Sequence, residues 1–385
     1  MKRHKCSIIG LIIAAMVIFS WIGSAPAAEP YRVGAIFAIS GPASWLGEPE
    51  RNTAQMLVEK INRAGGINGH KLEMFIEDTV GDETKAVLAV KKLINQDKVL
   101  AIIGPSRSGT SMALIPIMTK AKVPLISCAA AASIVEPIEK RKWIFKTPQL
   151  DKHAVETIYD RMNRMGIKKI AIMSGTTGFG AQGRKHLLRL APKMGLTILA
   201  DETYGPKDTD MTAQLTKIKG TGAQAVVNWS IVPAQVIVAK NMRQLGMDIP
   251  LFLSHGFGNI KYVKMAGEAA EGILFPAGRL LAVDTLSDSH PQKAVLMKYK
   301  KDYESRFKTQ ASTFGGHAYD AFHILAIALE KAGPDREKIR DAIENIKGFV
   351  GTGGVFNLSP QDHTGLTKEA FEMLTVKNGK FVVAP

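Results

Sequence analysis

Hydrophobic positions along the chain fall into two alternating kinds of run. Short, continuous apolar stretches come first: "YRVGAIFAIS" (31–40), "KLEMFIEDT" (71–79), "VLAIIGPS" (99–106) and "VPLISC" (123–128). Between them lie "RNTAQMLVEKINRAGG" (51–66), "DETKAVLAVKKLINQ" (82–96) and "SGTSMALIPIMTKA" (108–121), where apolar residues recur every three or four positions. The first kind predicts strands buried on both faces, the second amphipathic helices, and their alternation predicts βαβ units around a parallel sheet.

The pattern then repeats. Strands are expected at "KKIAIMS" (168–174), "TILADETY" (197–204), "AQAVVNWS" (223–230), "PLFLSHG" (250–256) and "EGILFPAG" (271–278), with helices at 151–166, 183–195, 210–220 and 234–246. Long helices follow over 289–308, 315–333 and 336–348. The end, "FEMLTVKNGKFVVAP" (371–385), reads as two strands around Asn378-Gly379, a hairpin signal. Periodicity lapses at "FKTPQLDKH" (145–153), around Pro148, and further crossings between units are expected at "LFPAG" and "FEMLT". The fold class is therefore α/β, two doubly wound lobes: residues 28–150 with 277–372 form the first, and 151–276 with 373–385 the second.

The N-terminus changes the cellular picture. "MKRHK" is a basic start, "SIIGLIIAAMVIFSWIG" an apolar run, and Ala25 and Ala27 offer the A-x-A spacing of a signal-peptidase site. Residues 1–27 read as an export signal cleaved near Ala27/Ala28, which places the mature protein in the periplasm. Of the two cysteines only Cys128 remains after cleavage, so the mature chain has no intramolecular disulfide and Cys128 reads as a small buried hydrophobe. The formal net charge of +15 is spread along helices, without an arginine-rich run interleaved with aromatics. That is a solvated basic surface suited to collecting anionic small molecules, and nucleic acid is not an expected partner.

Two stretches could carry chemistry. In "SGTTGFGAQG" (174–183), Gly178, Gly180 and Gly183 spell G-x-G-x-x-G after a strand, the spacing of a dinucleotide turn. "SGTT" makes this turn longer than the tight dinucleotide form, and an exported chain seldom meets nicotinamide, so no cofactor is expected. In "AIIGPSRSGTSMA" (101–113) a strand ends and a helix opens near Ser108. Its amides and the hydroxyls of Ser106, Ser108 and Thr110 could face one anion, with Gly109 beside them. The alternative reading is an ordinary helix cap. An enzyme is not expected. There is no G-x-S-x-G elbow, and Ser254 and His255 are adjacent on a strand and point to opposite faces. The histidines are scattered, His317 and His323 read as structural, and no metal site is expected.

The order "AISGPASWLGEPERNTAQM", "EKINRAGGINGHKLEMFIEDTVGDETKAVLAVKKLI", "VLAIIGPSRSGTSMALIPI", "VPLIS", together with "AGEAAEGILF" (266–275), resembles the solute-binding proteins of branched-chain amino acid ABC transporters. The resemblance covers the whole mature chain. It implies a type I periplasmic binding fold with three hinge crossings, ligand trapped by lobe closure, membrane permease subunits as partners, and a monomer. It assigns the ligand carboxylate to Ser108 from lobe one. The family's threonine in the next loop falls on Ala131, near Ala129, with Ser133 two residues on. Phe179 stands for the family's tyrosine, and the acid that pairs with an α-ammonium falls on His255. A buried ammonium without an anion is costly, so these departures favour a carboxylic acid lacking the ammonium. Trp45, Phe179, Trp229 and Phe257 could sandwich a flat body, which favours an aromatic or other hydrophobic acid. A branched-chain or other amino acid is the alternative ligand, and a sensor rather than a transporter the alternative partner.

Overall fold

A computed structural model describes residues 28–385; the expected export signal lies outside these residues. Two sheets organise the chain. In the first, β1 (Tyr31–Phe37), β2 (Leu72–Asp78), β3 (Ala101–Ile103), β4 (Leu125–Ser127) and β5 (Ile144–Lys146) lie in the order β2-β1-β3-β4-β5, all parallel. The continuous apolar character of β1, β3 and β4 follows from burial on both faces. Ala54 and Leu57 of α1 (Ser44–Arg63) pack with the first sheet on one side. Val90 and Leu93 of α2 (Glu83–Asn95) and Leu114 and Met118 of α3 (Ser108–Ala121) pack on the other.

The second sheet takes β6 (Lys169–Gly175), β7 (Thr197–Tyr204), β8 (Ala225–Trp229), β9 (Leu251–Leu253) and β10 (Leu274–Ala277) as parallel strands. Its order is β14-β13-β10-β9-β8-β6-β7 once the antiparallel β13 and β14 are added below. Helices α4 (Asp151–Arg164) and α5 (Gly178–Leu190) cover one face. Helices α6 (Thr212–Lys219), α7 (Gln235–Gln244) and α8 (Ile260–Ala266) cover the other. The chain then returns to the first lobe through α9 (Lys293–Phe307), α10 (Thr313–Ala332) and α11 (Arg336–Glu344), where Phe322 and Leu325 of α10 join the same core as Ala54 and Leu57. A short hairpin, β11 (Phe349–Val350) with β12 (Val355–Phe356), follows. Finally β13 (Glu372–Lys377) and β14 (Lys380–Val383) close the second sheet around Asn378-Gly379, both at positive φ. No helix among the described residues is long and apolar enough to cross a membrane.

Three crossings therefore join the lobes: Thr147–Leu150, the stretch after Ala277, and the approach to Glu372. Ala277 and Glu372 are strand residues of the second sheet, whereas the sequence reading put both in the first lobe. The sequence marks a change of composition, and the last paired residue lies one position away from it. The first crossing is pinned. Thr147 donates its hydroxyl to the His317 carbonyl at 2.9 Å, and Gln149 donates Nε2 to the Gly353 carbonyl at 2.8 Å. The loop that receives Gln149 is itself tied to α10: Asp320 accepts from the amides of Thr352 (2.6 Å) and Gly353 (2.7 Å).

Candidate functional site

The strand order of the first sheet reverses beside β1, where β3 follows it on one side and β2 lies on the other; a ligand is expected at the carboxyl ends of such strands. Helix α3 starts there. Its N-cap is Arg107, whose side chain makes no cap hydrogen bond, so the first-turn amides stay open. Ser108 Oγ accepts from the Ala131 amide at 3.3 Å, which leaves the hydroxyl proton free to donate. Arg107 donates Nη1 to the Gly81 carbonyl at 2.7 Å, holding the guanidinium beside the helix start.

Helix α5 opens opposite, from the second lobe. Thr177 caps it by accepting from the Gly180 amide at 3.3 Å. The three glycines of G-x-G-x-x-G are packing devices here. A Cβ on Gly178 would lie 3.1 Å from the Gly109 backbone, so the two helix starts touch across the cleft. One on Gly180 would strike the Gly175 carbonyl oxygen at 1.8 Å, and one on Gly183 would enter the Trp229 indole at 2.0 Å. Each glycine lets one backbone or ring approach another.

Between these helix starts lies a small cavity, partly open to solvent. Its polar rim is Ser106, Arg107, Ser108, Gly109 and Thr177. Phe179, Ile231, Phe314 and Pro148 form apolar walls, Ala129 and Cys128 line one side, and His255, His317 and Gln149 reach in from three different elements. No aspartate or glutamate lines it. Thus the cavity brings together six residues singled out in the sequence: Ser106, Ser108, Gly109, Ala129, Phe179 and His255.

The structure places the other four elsewhere. Thr110 is buried and donates its hydroxyl to the Arg107 carbonyl at 2.8 Å. Ala131 lies behind Ser108 and reaches it only through its amide. Trp229 is wholly buried beneath the wall, its ring 5.5 Å from Phe179 and 5.7 Å from His255. Trp45 sits at the interface of the lobes, 4.8 Å from Tyr262 of α8 and 5.4 Å from Phe314 of α10. Of the residues tied to these positions, Phe257 lies in the second-lobe core, stacked on Tyr262 and edge-on to Phe275. Ser133 donates to the Met112 sulfur. Ser106 lines the cavity, but its oxygen accepts from the Ala38 amide at 2.9 Å and its hydroxyl donates to the buried Glu50, which burial holds well above the usual carboxylate range. Its hydroxyl is therefore committed.

Sequence reasoning missed Arg107, Gln149, Phe314 and His317. Arg107 stood in the quoted stretch, next to Ser108. His317 comes from α10, more than two hundred residues away in sequence from Ser108. Only the return of the chain to the first lobe brings it to the cavity.

Burial sets the electrostatics. His255 is pulled down to about 3, first by desolvation, then by the Lys146 charge and by His317. His317 is likewise lowered to about 3 by desolvation and Lys146. Lys146 is itself buried and lowered to about 7; its ammonium donates to the carbonyls of Pro148 and Gln149 in the first crossing. The cavity thus holds two neutral imidazoles, one guanidinium and two helix N-termini. It can receive an anion at the rim and an apolar body along the walls.

Comparison with known proteins agrees with this geometry. Residues 30–380 match the family model described as periplasmic binding protein. A leucine-, isoleucine-, valine-, threonine- and alanine-binding protein of Pseudomonas aeruginosa is 27% identical over 86% of this chain and 87% of its own length. An extracellular ligand-binding receptor of Rhodopseudomonas palustris HaA2, solved by crystallography, superposes with a TM-score of 0.87 at 28% identity, covering 92% of this chain and 99% of the receptor. A branched-chain amino acid transporter substrate-binding protein of Streptococcus pneumoniae, in complex with isoleucine, does so with a TM-score of 0.80 at 26% identity, covering 92% and 99%. With two doubly wound lobes, three crossings and a cavity between them, the chain belongs to the periplasmic binding protein family, whose members bind solutes and are not enzymes.

Proposed function

We propose that this protein is the solute-binding component of an ABC importer and captures a small carboxylic acid without an α-ammonium group, with an aromatic or other hydrophobic body. The observation that carries this reading is the cavity lining. Two helix N-termini, Ser108 and Arg107 face the cavity, and no carboxylate does. An anion gains charge-assisted hydrogen bonds of roughly 1.5–3 kcal/mol each in such a place, whereas an ammonium would be desolvated without a counter-ion. Phe179, Ile231 and Phe314 would cover the body of the ligand. Captured ligand would be handed to permease subunits after closure.

Calorimetry of the mature protein with leucine and with benzoate tests this. Benzoate binding without leucine binding is expected; leucine binding without benzoate binding overturns it. The second reading, an amino acid ligand, is favoured by the printed names of the Pseudomonas and Streptococcus relatives. It would require neutral acceptors, such as carbonyls, hydroxyls and imidazole nitrogens, to meet the ammonium without a counter-ion.

A further inference from the structure

We propose that His255 and His317, from opposite lobes, form an uncharged hydrogen-bonding subsite for a hydroxyl group of the ligand, so that the preferred solute is a hydroxylated carboxylic acid. The inference rests on the carboxylate reading above, because the rim must fix the acid end before the far end can be read.

Both rings line the same cavity: His255 from the turn after β9, His317 from the second turn of α10. Both nitrogens of His255 and Nδ1 of His317 are buried and have no partner within the chain. Leaving such atoms unpaired costs roughly 1–3 kcal/mol each, and buried side-chain polar atoms are as a rule satisfied. The buried His363 obeys that rule with both nitrogens, on the Ile144 carbonyl at 2.8 Å and on Glu344 at 3.1 Å. His153 Nδ1 and His323 Nε2 also lack a partner but do not line the cavity, whereas His255 and His317 face it together, where a ligand would enter.

The chemistry of the missing partner follows. A neutral imidazole presents one N–H and one bare nitrogen, so a group set between the two rings, meeting the N–H of one and the bare nitrogen of the other, must both accept and donate. A second carboxylate only accepts, and would bring a charge among Phe179, Trp229 and Phe371, which surround His255 at 5.2–5.7 Å between ring centres. An ammonium only donates, and would face the like charge of Lys146, which already depresses both imidazoles. A hydroxyl does both and carries no charge.

The test is calorimetry of the mature protein with benzoate, 3- and 4-hydroxybenzoate, and terephthalate. At least one hydroxybenzoate is expected to bind about tenfold or more tightly than benzoate, with terephthalate the weakest. His317→Leu should erase that advantage, so that benzoate and the hydroxybenzoates bind alike, and His317→Gln should keep part of it. A melting curve shows whether each variant is folded, and His255→Gln serves if His317→Leu is not. Equal affinity for benzoate and both hydroxybenzoates overturns the subsite and leaves the carboxylate reading intact, as does a preference for terephthalate. Leucine binding with no heat from any of these acids overturns both.

Discussion

Ser108 is the side chain on which the carboxylate reading can be tested most directly. Its oxygen already accepts from Ala131, so only its proton is left for a ligand. Ser108→Ala should weaken ligand binding by roughly 1–2 kcal/mol, about five- to thirtyfold, and should also lower the melting temperature, because the buried Ala131 amide loses its acceptor, as read by calorimetry and thermal unfolding. An unchanged affinity would move the acid end to Arg107 and the open amides alone. The buried histidines give a second test. His255 and His317 titrate near 3 in the folded chain, and His153 and His323 near 4, against 6.5 for an exposed imidazole. As pH falls below 6.5 the unfolded chain takes up protons that the folded chain refuses, so these residues remove stability across the window from 6.5 down to about 3. Asp320 acts with the opposite sign, since burial lifts it to about 7 and its contribution is lost as pH rises from 3.8 towards 7. Subtraction isolates the histidine effect: the melting temperature of His317→Leu should fall less steeply than that of the wild type between pH 6.5 and 4. Parallel curves would show that His317 is not held neutral.

At the scale of elements, Gly178 and Gly109 set how far the lobes can close. Gly178→Val would put side-chain atoms against the first turn of α3. The expected result is weakened ligand binding with an unchanged melting temperature in the absence of ligand; full affinity would mean that the ligand-bound state keeps the helix starts apart. Most elements could be read from the sequence because their burial is extreme. Strand β3 is apolar throughout, β1 and β8 are apolar but for Arg32 and Asn228, and helices such as α2 show one buried stripe. What could not be read has physical reasons. β5 is three residues long and sits in the linking stretch, so it has too few positions to show a period. α8 has only seven residues and is started by the Asn259 side chain, which accepts from the Lys261 amide at 2.9 Å. α1 begins at Ser44, ahead of the expected helix at 51, and runs through Pro49, which the pattern alone would place outside a helix. Proline lacks the amide that would meet the Trp45 carbonyl, and Asn259 of the other lobe donates Nδ2 to that carbonyl at 3.3 Å. The helix break is thus offset by a tertiary contact that local sequence does not reveal. For the site, Ser106, Ser108 and Gly109 were legible because they sit together at one helix start, whereas Arg107 between them and Thr177 of the other lobe were not singled out. The far end was not, because Gln149, Phe314 and His317 reach it from the first crossing and the return helix.

For the whole molecule, the described conformation is closed. Besides the glycine contact, Lys261 pairs with Glu48 at 3.6 Å and the Ala132 amide donates to Asp151 at 3.1 Å, each across the lobes. The lysine pair is exposed and contributes little. The Asp151 contact is buried and would be exchanged for water on opening. Rotation about three short crossings is the expected motion. Small-angle scattering should show a smaller radius of gyration with ligand than without, and equal values with ligand demonstrably bound would exclude a hinge. Trp45 gives that motion a colour. Its indole rests on Tyr262 of the opposite lobe, whereas Trp143 and Trp229 are buried within single lobes. Opening would therefore bring water to one indole of the three among the described residues, red-shifting and broadening its emission, and ligand would reverse the change. Trp45→Phe should silence the signal without altering affinity, so that the intact protein reports its own occupancy by ultraviolet light, with no dye attached.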